Sequence, residues 1–253
     1  MGEPYVRYEV LEQEGRATLT LDSPHNRNAI SQRLVEELHD GLAAAESDNS
    51  VRAVVLTHTG GTFCAGADLS DASGDVSTRT MAMAGLLNAI LALSKPVIAQ
   101  IDGHVRAGGM GLVGACDLAV AGPSSTFALT EARLGLAPSI ISLTVLPRLN
   151  SRAASRYFVT GEKFGSDVAE AIGFLTAASD DPAQVAADWV RDICAGSPQG
   201  VAASKALTTR PVLADFDRSA VSLASESARL FSSEEAQEGM MAFLQKRQPR
   251  WAQ

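Results

Sequence analysis

Two glycine-rich stretches carry the residue types that leave backbone amides free for chemistry. At Arg106-Ala107-Gly108-Gly109 a strand ends and a helix opens, which leaves N–H groups unpaired at the positive end of that helix. Donors of this kind suit an oxygen on which negative charge develops. The loop Cys64-Ala65-Gly66-Ala67-Asp68 follows an earlier apolar strand and offers a further amide among side chains too small to block a ligand. Two such loops, each after a buried strand, fit a two-donor oxyanion hole. On spacing alone, tight turns are the favoured reading of both.

The run Gly109-Met110-Gly111-Leu112-Val113-Gly114 satisfies GxGxxG, with Glu131 about twenty residues on as a dinucleotide fingerprint asks. A βαβ crossover, however, needs a helix of roughly ten or more residues to return to the sheet. Here the next strand starts at Asp117, so the helix is too short. The glycines also sit mid-chain rather than at the first βα turn. None of Tyr5, Tyr8 and Tyr157 has a Lys four residues later. A nicotinamide enzyme is therefore disfavoured.

The 253 residues are 46% hydrophobic and 20% charged, which is enough apolar material for one large core. A net charge of −8 argues against nucleic acid or an anionic membrane as partner, so an anionic ligand requires a local basic patch. Cys64, Cys116 and Cys194 show no metal-ligand or CxxC spacing and read as reduced thiols. The four histidines likewise lack ligand spacing, and no metal is expected. Neither a secretory h-region nor a membrane-spanning apolar run is visible, which points to the cytoplasm. His104 reads as a turn histidine. Arg106, just before the glycines, is placed to meet an acidic group on a ligand.

Alternation over Tyr5–Val10 and Ala17–Leu21 predicts a hairpin. Ser31 caps a helix with Leu34, Val35, Leu38 and Leu42 on its apolar face. Val51–Thr57 is a continuous apolar strand, buried on both sides. A helix from about Arg79 to Leu93 precedes strand Val97–Ile101, and a third apolar strand covers Asp117–Ala121. From Ser142 onward helices dominate: Ser166–Ile172, Pro182–Cys194, Pro198–Leu207, Arg218–Phe231 and Glu234–Lys246. The front of the chain is α/β and the back helical.

In order along the chain, LDSPHNRNAIS, FCAGADLS, KPVIAQIDGHVRAGGMGLVGACDLAVAG, FALTEARLGLAP and EGMMAFLQKRQPRW resemble the crotonase (enoyl-CoA hydratase/isomerase) superfamily over almost the whole length. The resemblance implies an α/β fold: a spiral of ββα turns over residues 1–195, with a C-terminal helical region, 196–253, in the same domain and packing on neighbouring subunits of a trimer or hexamer. It implies an acyl-CoA thioester as substrate, with no separate cofactor. Carried over by position, the oxyanion donors fall on the amides of Ala67 and Gly108. Ala65, Asp68 and Leu69 line the CoA pocket. Arg27, Phe243 and Lys246 contact CoA, the last two from another subunit. Taken alone, Lys246-Arg247 would be a solvated helix end, and Asp68 a helix cap.

The acids decide the reaction. The two-glutamate hydratase pattern expects Glu at Gly111 and at Glu131, and only the second is present. A lone Glu131 between Leu129 and Leu134 fits a carboxyl group in an apolar pocket, where desolvation suits it to proton transfer. Its bland readings are a salt bridge to Arg133 or a helix cap. Gly111 raises a double-bond isomerase using Glu131 alone. GGMGLVGACD with EARLGLAPSIIS resembles a branch described as methylglutaconyl-CoA-type hydratases, which favours a hydro-lyase. A non-catalytic acyl-CoA-binding subunit is the rival from another class.

Overall fold

The computed structural model describes residues 3–68 and 75–252. It opens with an antiparallel hairpin, β1 (Val6–Leu11) and β2 (Arg16–Leu21), with Val6 opposite Leu21. Along β2 the alternation buries Ala17, Leu19 and Leu21. Helix α1 (Gln32–Ser47) starts where Ser31 Oγ accepts the Leu34 amide at 3.3 Å, and it buries the apolar stripe read from the sequence.

The chain then repeats one unit: a strand in a large sheet, a short strand in a small sheet, and a helix. The first unit is β3 (Ala53–His58), β4 (Thr62–Cys64) and α2 (Val76–Ala92). The second is β5 (Val97–Ile101), β6 (His104–Arg106) and α3 (Gly108–Ala115). The third is β7 (Leu118–Ala121) and β8 (Thr126–Ala128), followed by a 3-10 turn at Glu131–Leu134 and α4 (Ser142–Val145). After α5 (Ser151–Thr160) come β9 (Phe164–Gly165), α6 (Ser166–Ala171) and β10 (Ala177–Ala178). Three long helices close the chain: α7 (Pro182–Ala195), α8 (Pro198–Phe231) and α9 (Glu234–Leu244). Among the described residues the large sheet runs β1-β2-β3-β5-β7-β10 and the small one β4-β6-β8-β9. This is the spiral of ββα turns that the resemblance implied.

The continuous apolar run in β3 has its expected cause. Val54 and Leu56 enter the main core, while Ala53 and Val55 face Ala186 and Val190 of α7. The small sheet was invisible to periodicity, because its strands have only two or three residues. Helix α2 begins three residues earlier than expected, with Asp75 accepting the Thr78 amide. The two helices read on either side of Pro211 are one helix, α8. Pro211 and Leu207 are both exposed, so the carbonyl that loses its donor faces water and the kink penalty is softened.

The helical end is tied into the spiral. Helix α8 lies along α2, and its buried Lys205 reaches inward. Lys205 Nζ donates to the carbonyls of Ile90 and Lys95 at 2.9 and 3.0 Å and sits 2.8 Å from Asp117 Oδ2. Asp117 also accepts the Val97 amide at 2.8 Å, so one buried pair joins α8, α2, β5 and the start of β7.

Candidate active site

Strands β4, β6 and β8 run parallel, so their carboxyl ends meet along one edge. Each delivers one of the sequence-predicted groups: β4 leads to Ala67, β6 to Gly108 and β8 to Glu131.

Ala67 forms a parallel bridge with Ile30. The Ile30 amide donates to Gly66 O at 2.8 Å, and the Asp68 amide donates to Ile30 O at 3.1 Å. In such a bridge the flanking residues make the bonds, and the N–H of the residue between them turns the other way. Gly108 is the first residue of α3 and has no intrahelical acceptor for its amide. Among the described residues neither amide has a backbone acceptor. Ala107 precedes Gly108 at φ +47°, ψ −119°, a conformation an L side chain rarely adopts and one costing about 1–3 kcal/mol. The two loops are in contact. A Cβ on Gly66 would fall 2.8 Å from Ala107 Cβ and 3.4 Å from Gly108 N. One on Gly108 would fall 3.8 Å from Ala67 N and 2.7 Å from Ile30 Cδ1. Glycine is therefore required at Gly66, where φ is also +91°, while a Cβ at Gly108 would displace the tip of the Ile30 side chain.

Asn28 supports this arrangement, and the sequence reading passed over it. It is fully buried at φ +53°, and its Nδ2 donates to Thr62 O at 2.8 Å and Thr59 O at 3.2 Å, while its Oδ1 accepts the Ser23 amide at 2.8 Å. The asparagine-rich turn Asn26-Arg27-Asn28 was the available signal, since Asn tolerates the left-handed region. Next to it the carbonyl of Arg27 accepts the Ala65 amide at 3.1 Å, and the Arg27 side chain is exposed. Asp68 accepts from Asn26 Nδ2 at 3.2 Å and does not cap α2, which Asp75 does. Leu69 lies outside the described residues. Phe243, 60% exposed, and Lys246, at φ +54°, stand in solvent around the end of α9. That helix backs the Glu131 turn: a Cβ on Gly239 would fall 2.4 Å from Leu134 O.

Glu131 is half-buried as a residue, but its Oε2 is sealed from solvent and has no hydrogen-bond partner among the described residues. Both bland readings fail here. Thr130 is the cap residue, and Arg133 Nε donates to Thr160 O at 3.1 Å. Burial raises the Glu131 pKa from 4.5 to about 7, only partly opposed by its own backbone amide. Burial also pushes the Cys64 thiol up to about 12, so it is a filler and not a nucleophile. The Arg106 guanidinium is laid across β8, donating to Thr126 O at 2.6 Å and Thr126 Oγ1 at 2.7 Å. His104 is exposed, with Nδ1 3.0 Å from the same hydroxyl.

Gly111 lies one turn along α3 from Gly108, on the same face. A Cβ there would fall 2.5 Å from Ile141 Cγ2 and 3.5 Å from Leu87 Cδ1. Isoleucine and leucine fill the space a second carboxylate would need.

The chain is similar to known proteins over most of its length. A family model described as enoyl-CoA hydratase/isomerase matches residues 12–253. The crystal structure of an enoyl-CoA hydratase from Mycobacterium avium superposes with a TM-score of 0.93 at 59% identity, covering 99% of this chain and 100% of that one. An enoyl-CoA hydratase of Alternaria alternata is 35% identical over 83% of this chain and 73% of its own length. The mitochondrial methylglutaconyl-CoA hydratase of Mus musculus is 29% identical over 98% of this chain and 84% of its own.

A base must be ionised, so turnover should fall as pH drops through about 7, and Glu131→Gln should lower kcat by about 10²–10⁴-fold. Stability should move the other way. A carboxyl with a raised folded pKa favours folding below the unfolded value of 4.5 and loses that contribution as pH rises to about 7. Above pH 7 the Gln variant should therefore be the more stable, by at most about 3 kcal/mol, as urea denaturation would measure.

Proposed function

The chain belongs to the enoyl-CoA hydratase/isomerase family, and from that premise we propose that it acts on an enoyl-CoA thioester through an enolate. One observation carries the reading: the amides of Ala67 and Gly108, without a backbone acceptor among the described residues, lie close together on the same sheet edge that delivers Glu131, whose buried Oε2 has no partner among those residues. The thioester oxygen accepts from both amides. As electrons move onto that oxygen, each donor stabilises the transition state by a few kcal/mol, of order 3. Glu131, poised near neutrality, accepts and returns the proton.

Hydration is the reaction we assign first, and the enoyl-CoA hydratase names of the relatives support it. Water adds at C3, Glu131 takes its proton, and the enolate receives that proton at C2. The CoA phosphates meet exposed Arg27 on an otherwise acidic surface. Phe243 and Lys246 complete the site from a neighbouring copy, which would also cover the exposed Met241, Leu244 and Trp251.

A second reading, isomerisation, is favoured by the sealed space at Gly111. Glu131 would take a proton from C2 of a 3-enoyl-CoA and return it at C4, with no water to orient.

Incubation with matched 2-enoyl- and 3-enoyl-CoA substrates, with products resolved by mass, tests both. A product heavier by one water from the 2-enoyl substrate is expected. A shifted double bond at unchanged mass, from the 3-enoyl substrate only, would replace hydration with isomerisation, and no turnover of either would leave a binding protein. Gly111→Glu alone should destabilise the chain by about 1–3 kcal/mol through overpacking against Ile141. Paired with Ile141→Gly, it should fold normally and raise the ratio of hydration to isomerisation, which the same assay reads.

A further inference from the structure

His58 ends β3, and its ring lies at the seam between two bends. One bend, Thr59–Gly61, carries β3 into β4. The other, Asp102–Gly103, carries β5 into β6. The Asp102 amide donates to His58 Nε2 at 3.0 Å, so the ring proton is on Nδ1, 3.4 Å from Thr59 O. On the β4 side the ring meets Phe63 edge-on, with centroids 5.5 Å apart. On the β6 side a Cβ on Gly103 would fall 2.8 Å from both His58 Cε1 and Gly61 O. The His104 amide donates across the seam to Gly61 O at 3.1 Å. The strands leaving this seam are the two that end at Ala67 and Gly108. We propose that His58 is a positioning residue for the oxyanion hole: its neutral ring sets the two bends against each other and so fixes the spacing of the two donor amides. The proposal rests on the reading of Ala67 and Gly108 as that hole.

The contact depends on protonation. The charged group facing the ring is the Asp102 carboxylate, with the carbonyls of Thr59 and Gly60 beside it. Asp22, which follows β2, bonds Thr59 Oγ1 at 2.6 Å and Arg7 at 2.8 Å instead. These groups favour the cation, but burial outweighs them and holds the imidazole below its usual pKa. A proton on Nε2 would set donor against donor at Asp102. The contact is therefore complete at neutral pH and lost as pH falls below the ordinary histidine range.

The test reads carbonyl polarisation directly, with an aryl-conjugated enoyl-CoA whose absorption moves to longer wavelength as its thioester oxygen is stabilised. Work in the Glu131→Gln background removes the other titrating group. The bound probe should show a red shift at about pH 7.5 that is weaker at a pH well below the ordinary histidine range. Adding His58→Gln, which keeps an acceptor and cannot titrate, should hold the shift at both pH values. Adding His58→Phe, which keeps a ring without the acceptor, should weaken it at both. Equal shifts in all three proteins at both pH values would overturn the proposal. A bound probe with no red shift in the parent at any pH would instead overturn the oxyanion-hole reading, and this proposal with it.

Discussion

The site depends on one close approach: the turn after β4 must touch the turn after β6 so that the amides of Ala67 and Gly108 lie close together. Gly66 makes the approach sterically allowed, and Ala107 is held in a strained conformation to complete it. The parallel pairing of β4 with β6 sets the distance. The Arg27 carbonyl and the Ile30 bridge hold the turn after β4 from the N-terminal side, while Asn28 ties down the bend that leads into β4. In the proposed reaction, two donors fixed before the ligand arrives need no reorganisation when charge develops on the thioester oxygen.

The same edge carries an electrostatic cost. Glu131 Oε2 is sealed without a partner among the described residues, so the ionised carboxyl is disfavoured in the folded chain and its pKa is raised to about 7, which suits it to proton exchange near neutral pH. A large core supports that cost, with β3 covered on both faces and α8 locked to the spiral by the Lys205–Asp117 pair. One turn along α3 from Gly108 the wall at Gly111 is apolar, so in the proposed reaction Glu131 serves as both acid and base.

Much of this was legible in the sequence, but unevenly. Strong periodicity placed α1, a short apolar run placed β5, and Ser31 was correctly read as a cap. The donor residues were legible only as an ordered set of motifs, because small residues after a strand also make ordinary turns. The small sheet escaped because strands of two or three residues carry no alternation. The helices expected over Pro198–Leu207 and Arg218–Phe231 are one because α8 continues through Pro211, whose tolerance depends on which face meets solvent. Asn28 and His58 escaped for a related reason: each acts through contacts with turns distant in sequence, and no local pattern announces them. Whether the space at Gly111 was open or filled could be answered only by finding Ile141 against it.

The central claim is that two amides stabilise an enolate while Glu131 moves the proton. Exchange at C2 of a saturated acyl-CoA in heavy water isolates that step from both hydration and isomerisation. The account predicts deuterium entering C2 with the wild-type chain and not with Glu131→Gln, by mass spectrometry. Exchange no faster than in buffer, or equal in the two proteins, would contradict it.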